Sequence, residues 1–208
     1  MKLEEIVRKE LLSEQGRKRD VIRKVIKDIV TVFKNEDEGE FFLPEYFEDR
    51  NEMVYDFMTM GESFSIELIL EVNDETENFK VNAEIYNDDQ TIRVLIQYNS
   101  YNKTKILYDL IGELNEIIAH ELRHIDQNIR GTFVSKSYRG KDPVKYYTQP
   151  HELDAQVFGF NRLSKLTRTP FEEVVKNWFE THREIHQLDD KGIKTVMNKI
   201  FEYRKNGK

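Results

Sequence analysis

The chain contains no cysteine. That excludes a disulfide framework and any thiolate metal site, so a metal here has to be held by histidine and carboxylate. It leaves the redox compartment undetermined. Histidine itself is scarce, with five in 208 residues. No stretch approaches the roughly 18 apolar residues of a membrane span. The charged start Met1-Lys2-Leu3-Glu4-Glu5 leads into no apolar run of signal-peptide type, so the expected compartment is the cytoplasm, with no membrane partner. There is no internal repeat and no low-complexity linker. Basic charge is missing from the middle of the chain: residues 35–100 carry 3 basic and 18 acidic groups, whereas 1–34 and 101–208 each have a net charge of +4. Nucleic-acid binding needs clustered Lys and Arg; the acidic middle argues against it and reads as a solvated surface.

What is present suits a folded domain. Hydrophobic residues make up 38% of the chain, and 13 Phe and 10 Tyr supply a core despite 34% charged residues. The length fits one domain, or one with an appendage: a helical N-terminal segment over 1–34 and a main domain over 35–208 that forms one compact unit with it. Helices are expected over 2–14 and 18–33, the second with Val21, Ile22, Val25, Ile26, Ile29, Val30 and Phe33 at helical spacing. Such a face packs on its own domain more often than it serves as a docking arm. An acidic loop follows to Gly39 and Glu40, then an aromatic cluster around Phe41, Phe42, Tyr46 and Phe47 that leads into a short helix ending near Met60 and Gly61. Strict alternation marks three strands, at Ser63–Val72, Phe79–Tyr86 and Thr91–Tyr98, and the polar turns between them suggest an antiparallel meander with one buried face. A long helix is expected over Asn102–Arg130, closed by Gly131. A loop over 132–149 follows, then helices over about 150–164, from Pro170 to about Gln187, and from Asp189 or Asp190 to about Arg204.

The long helix carries His120-Glu121-Leu122-Arg123-His124, the pattern H-E-x-x-H. Residues four apart share a helix face, so both imidazoles can address one metal ion, and Glu121 beside them is placed to take a proton from water. This is the zinc-hydrolase arrangement. A catalytic zinc site uses three protein ligands, and the third has to lie downstream. Gln127 and Arg130 stand where the metzincin pattern needs Gly and His, and Gly131-Thr132-Phe133-Val134 lacks the Asp of the aspzincin pattern. The remaining common option is a Glu on a second helix. Pro150 suits a first helical position and puts Glu152 in the first turn, with Ala155 small enough for close approach. Glu152 is therefore the expected third ligand, with His151 and then Asp154 as rivals. His182 and His186 are also four apart, but no adjacent Glu accompanies them, and they read as surface or packing histidines.

His-Glu-Leu-Arg-His followed by Tyr147-Thr148-Gln149-Pro150-His151-Glu152-Leu153-Asp154-Ala155 resembles the gluzincin-type metallopeptidase domains of phage and mobile-element proteins and, more distantly, the ImmA/IrrE-like peptidases. The resemblance covers about residues 90–165. It implies a zinc ion held by His120, His124 and Glu152, with Glu121 as general base in peptide hydrolysis. Gln156 departs from the thermolysin-type second motif, which leaves Asp154 or Glu116 to support a ligand histidine. Tyr147 is the expected stabiliser of the oxyanion, with Tyr146, His182 and Arg123 as alternatives, although Arg123 reads better as a helix-surface charge. The fold expected is α+β and zincin-like: a small antiparallel-containing sheet packed on the H-E-x-x-H helix and on a second ligand-bearing helix, with N- and C-terminal helices. The partner expected is a protein or peptide substrate. The competing reading is a non-catalytic, virion-type structural or binding protein that retains a zinc site.

Overall fold

The computed structural model describes residues 21–47, 55–57, 62–86, 90–132 and 142–206. The helix expected over 2–14 lies outside them. The chain is α+β. It divides into two compact units, Met1–Ile118 and Ala119–Lys208, and among the described residues no helix is long and apolar enough to cross a membrane.

The first unit holds helix α1 (21–35), strand β1 (Gly39–Phe42), the single-turn helix α2 (Leu43–Tyr46) and strands β2 (Tyr55–Phe57), β3 (Glu62–Val72), β4 (Phe79–Tyr86) and β5 (Thr91–Tyr98). Ile22, Val25, Ile26, Ile29, Val32 and Phe33, on the apolar face of α1, are buried. Phe33 meets Tyr98 edge-on with ring centroids 4.9 Å apart. Lys103 closes this corner: its Nζ donates to Glu36 O at 2.6 Å and to Asp37 Oδ1 at 2.8 Å, and lies over the Phe33 and Tyr98 rings. Tyr98 Oη donates to Asp37 O.

Two expectations for this region are corrected. Residues 55–57 are not helical: they form β2, antiparallel to Phe64, Ser63 and Glu62 at the start of β3, while Gly39–Phe42 pairs antiparallel further along that strand. Nor do the three long strands form a meander. The order is β1-β3-β5-β4, with β3 and β5 parallel from Ser65↔Thr91 to Val72↔Tyr98 and β4 antiparallel to β5. Alternation tells which face a residue occupies, not which strand lies next to it. The polar face selects the parallel pairing: Ser65 bonds Thr91 at 2.8 Å, Arg93 bonds Glu67 at 2.6 Å and Gln97 bonds Glu71 at 2.7 Å, each pair in register. On the other face Ile66, Leu68 and Leu70 lie level with Ile92, Val94 and Ile96, all buried. The most completely buried strand sits inside the sheet. β4, with Lys80 and Asn82 exposed, takes the end of the order, where charge guards an edge. The link 73–78 therefore passes the end of β5 and is pinned there. Asn73 N donates to Tyr98 O, Asn99 Nδ2 donates to Asp74 O at 3.0 Å, and Ser100 Oγ donates to Asp74 Oδ1 at 2.9 Å.

Helix α3 (Leu107–Ile129) starts later than the pattern suggested, because Asn99 first caps a 3-10 turn over Ser100–Asn102. It ends in a Schellman motif: Thr132 N donates to Gln127 O and Gly131 N to Asn128 O, both at 2.9 Å, with Gly131 at φ +64°.

The second unit continues with α4 (Pro143–Tyr147), α5 (Pro150–Thr167), α6 (Phe171–Thr181), α7 (Arg183–His186) and α8 (Asp190–Lys205). The span expected as a loop contains α4, whose start is marked by the Asp142 cap on Lys145 N and by Pro143. Leu153, Val157, Phe160, Phe171, Val175, Phe179, Val196 and Ile200 form one apolar cluster shared by α5, α6 and α8. The single helix expected after Pro170 is broken at His182, because side chains take over its hydrogen bonds. His186 Nε2 donates to Phe179 O at 2.8 Å, the carbonyl that Arg183 N–H would use in a continuous helix. His186 Nδ1 accepts from Leu188 N at 3.0 Å. His182 stacks on Trp178 with centroids 4.8 Å apart. This pair is a packing element.

His186 is buried with both nitrogens used, and burial pulls its pKa below the ordinary value. The unfolded chain, at about pKa 6.5, then binds more protons in the window below 6.5, so the contribution is full above that pH and is lost as pH falls toward the folded pKa. Urea unfolding is expected to show stability dropping from about pH 7 to about pH 5, with part of that slope abolished in His186→Gln. An unchanged slope in the variant would contradict the assignment.

Candidate metal centre

The candidate centre lies within the second unit. On α3, His120 and His124 are one turn apart, with ring centroids 4.7 Å apart and Nε2 atoms 3.0 Å apart. Proline at the first position of α5 sets the helix start and leaves Glu152 in the first turn. Glu152 Oε2 lies 3.6 Å from His120 Nε2 and 3.5 Å from His124 Nε2, and the three ligand atoms all fall within 4.8 Å of one another. Glu121, between the two histidines in sequence, is buried.

These distances fit a metal ion. Bonds of about 2.0–2.1 Å in a tetrahedral shell imply ligand-to-ligand edges of about 3.4 Å, near the 3.0, 3.5 and 3.6 Å found. Glu152 Oε2 is fully buried with no hydrogen-bond partner among the described residues, and a native interior rarely tolerates that without an unseen partner. Burial alone would push the Glu152 carboxyl up, but the His120 and His124 imidazoles, when they carry a proton on the facing nitrogen, outweigh it and hold the group well below the usual carboxylate range. Two imidazoles and one carboxylate are a donor set suited to zinc. His120, His124 and Glu152 could thus hold a metal ion.

A second layer of side chains backs the first. His124 Nδ1 lies 2.9 Å from Gln127 Oε1. Gln127 Nε2 donates to Asp154 Oδ2 at 2.8 Å and to the His151 carbonyl at 3.0 Å. Arg123 grips Asp154 with two bonds, Nε to Oδ2 at 2.6 Å and a terminal nitrogen to Oδ1 at 3.1 Å, and reaches Asp126 at 2.6 Å. Arg130 closes on Asp126 at 2.9 Å. Burial would raise Asp154, but the hydrogen bonds from Arg123 and Gln127 hold it below its ordinary value. Burial likewise pulls the Arg123 guanidinium down, and Asp154 with Asp126 more than reverses this. Arg123 is therefore not the surface charge that its position suggested: it ties α3 to α5.

The remaining expected residues fall as follows. Asp154, a rival ligand, is engaged by Arg123 and Gln127 and stands behind the centre. It supports His124 only through Gln127. His151 faces the other Glu152 oxygen, Oε1, at 3.6 Å, and burial lowers its pKa against the pull of that carboxylate. Tyr147 packs edge-on to Phe179 at 6.3 Å and to Tyr146 at 5.1 Å, and its carbonyl accepts from Gln156 Nε2 at 3.2 Å. His182 stacks on Trp178. Glu116 is buried in the first unit. The residue that sequence reasoning missed is Gln127, which served there only to exclude one zinc pattern. Its signal was available: a position one turn beyond His124 lies on the same helix face.

Compared with family models, curated proteins and solved structures, the chain matches none.

A bound metal stabilises only the folded state. Zinc at 100 times its Kd is expected to raise the unfolding free energy by about 2.7 kcal/mol, read as a shift of the urea midpoint that a chelator reverses. Glu152→Gln is expected to lose most of that gain; an equal gain in the variant would place the zinc elsewhere.

Proposed function

We propose that the protein is a zinc-dependent metallopeptidase of the gluzincin type, akin to those of phage and mobile elements. The observation that carries this reading is the convergence of His120, His124 and Glu152 from two helices, with Glu121 adjacent to the first histidine. Zinc in such a centre supplies Lewis acidity: it polarises a carbonyl and makes water a usable nucleophile near neutral pH. The chain's own groups do the rest. His120 and His124 present Nε2 lone pairs, and Glu152 adds the single negative charge, so the ligand set does not neutralise a dication. Three protein ligands is the number typical of catalytic zinc sites, whereas structural sites use four. Glu121 takes the proton of the attacking water on its carboxylate and returns it to the leaving amine of the cleaved peptide. Tyr147 is the proposed donor to the carbonyl oxygen as that oxygen gains charge.

The test pairs metal analysis with cleavage of denatured casein and a random peptide library. Wild-type protein is expected to carry one zinc per chain and to cleave. Glu121→Gln is expected to keep the zinc and lose about 100- to 10,000-fold in rate. Unchanged cleavage in Glu121→Gln, or no zinc retained at neutral pH, would sink the proposal. Zinc retention without cleavage by the wild type would favour the non-catalytic reading.

A further inference from the structure

Gln127 touches both ligand-bearing elements: the ring of His124 on α3 and the backbone carbonyl of His151, the residue before Glu152 on α5. The orientation of its amide follows from its partners. The His151 carbonyl can only accept a hydrogen bond. Asp154, held as a carboxylate by two bonds from Arg123, can also only accept. Both lie on the same side of Gln127, at 3.0 and 2.8 Å, so the NH2 group faces them and spends both of its hydrogens there. The carbonyl Oε1 is left for His124, and an oxygen 2.9 Å from Nδ1 requires Nδ1 to carry the proton. In a neutral imidazole the lone pair then falls on Nε2, the atom directed at His120 Nε2 and Glu152 Oε2.

We infer that Gln127 is a positioning residue: its amide locks His124 in the Nδ1–H tautomer and clamps the start of α5, so that His124 Nε2 and Glu152 are set for a metal before any metal arrives. This deepens the metallopeptidase reading, which supplies the metal. A supporting carboxylate would serve less well here. It would lie against Asp154 with no hydrogen to share, and it could not donate to the His151 carbonyl. Gln127, 5% exposed, satisfies three polar groups without adding charge. Arg123 holds Asp154 with two bonds, which fixes an acceptor oxygen in front of the Gln127 amide.

The test uses full-length, metal-free protein with 15N-labelled histidine, read by long-range proton–nitrogen correlation at about pH 8, above the ordinary histidine pKa of about 6.5. Wild-type His124 is expected to show a protonated Nδ1 and a bare Nε2. Gln127→Leu is expected to move the proton toward Nε2, whereas Gln127→Glu, which keeps an acceptor at His124, retains the wild-type tautomer. Zinc affinity, measured by competition with a chromophoric chelator, is expected to fall about 10- to 100-fold in Gln127→Leu. A packing role alone would lower the unfolding midpoint and leave tautomer and affinity as they were. The inference is overturned by a wild-type His124 protonated at Nε2, or by a Gln127→Leu protein with unchanged tautomer and affinity. If Gln127→Leu does not fold, the wild-type and Gln127→Glu spectra decide alone. The spectra contain no metal, so failure of wild-type protein to bind zinc counts against the metallopeptidase reading and not against this one.

Discussion

A carboxylate taken out of water has to be met by something, and at Glu152 the oxygen Oε2 faces two imidazoles at 3.5 and 3.6 Å without a hydrogen bond from either. That constraint organises the second unit. Burying an ionised group without hydrogen bonds is expensive, and Glu152 Oε2 is buried with none among the described residues. Its place is set by three local devices. Pro150 begins α5, so that position 152 falls in the first turn. The carbonyl of His151 is held by Gln127. The Arg123–Asp154 pair ties the same turn of α5 to α3. A buried carboxylate oxygen left unmet is a poor way to stabilise a fold and a sound way to build a ligand site.

The charged groups behind the centre differ in kind from those on the surface. Arg204–Glu172 and Lys199–Glu202 are exposed pairs, of the sort that contributes little to stability. Asp126, almost fully buried, takes two guanidinium partners, Arg123 and Arg130, and Asp154 takes a two-bond grip from Arg123. Removing one member of such a set strands the other in a poor solvent. The network therefore specifies geometry more than it adds stability, and what it specifies is the orientation of Gln127 and, through it, of His124.

The parts of this structure that were legible in the sequence are those set by local periodicity. His120 and His124 on one helix face need only a spacing of four, and Glu152 in a first turn needs only Pro150 ahead of it. Alternation in β3, β4 and β5 marked the strands and their buried faces. What escaped depends on partners distant in the chain. The insertion of β5 between β3 and β4 rests on Glu67 meeting Arg93 and Glu71 meeting Gln97, which alternation does not encode. Residues 55–57 became strand because β3 had a free edge for them. The break between α6 and α7 was set by the His186 side chain taking the Phe179 carbonyl. Gln127 looked like the absence of a zinc ligand because its partners, Asp154 and the His151 carbonyl, lie on another helix.

The most direct test of the central claim, that two helices meet to form a three-ligand metal site, is anomalous scattering at the zinc absorption edge from crystals of zinc-loaded protein. The account predicts one strong peak bonded to His120 Nε2, His124 Nε2 and a Glu152 oxygen, with no fourth protein ligand and with Glu121 and Asp154 unbonded to the ion. A peak absent from that position, or one ligated by His151 or Asp154 in place of Glu152, would contradict it.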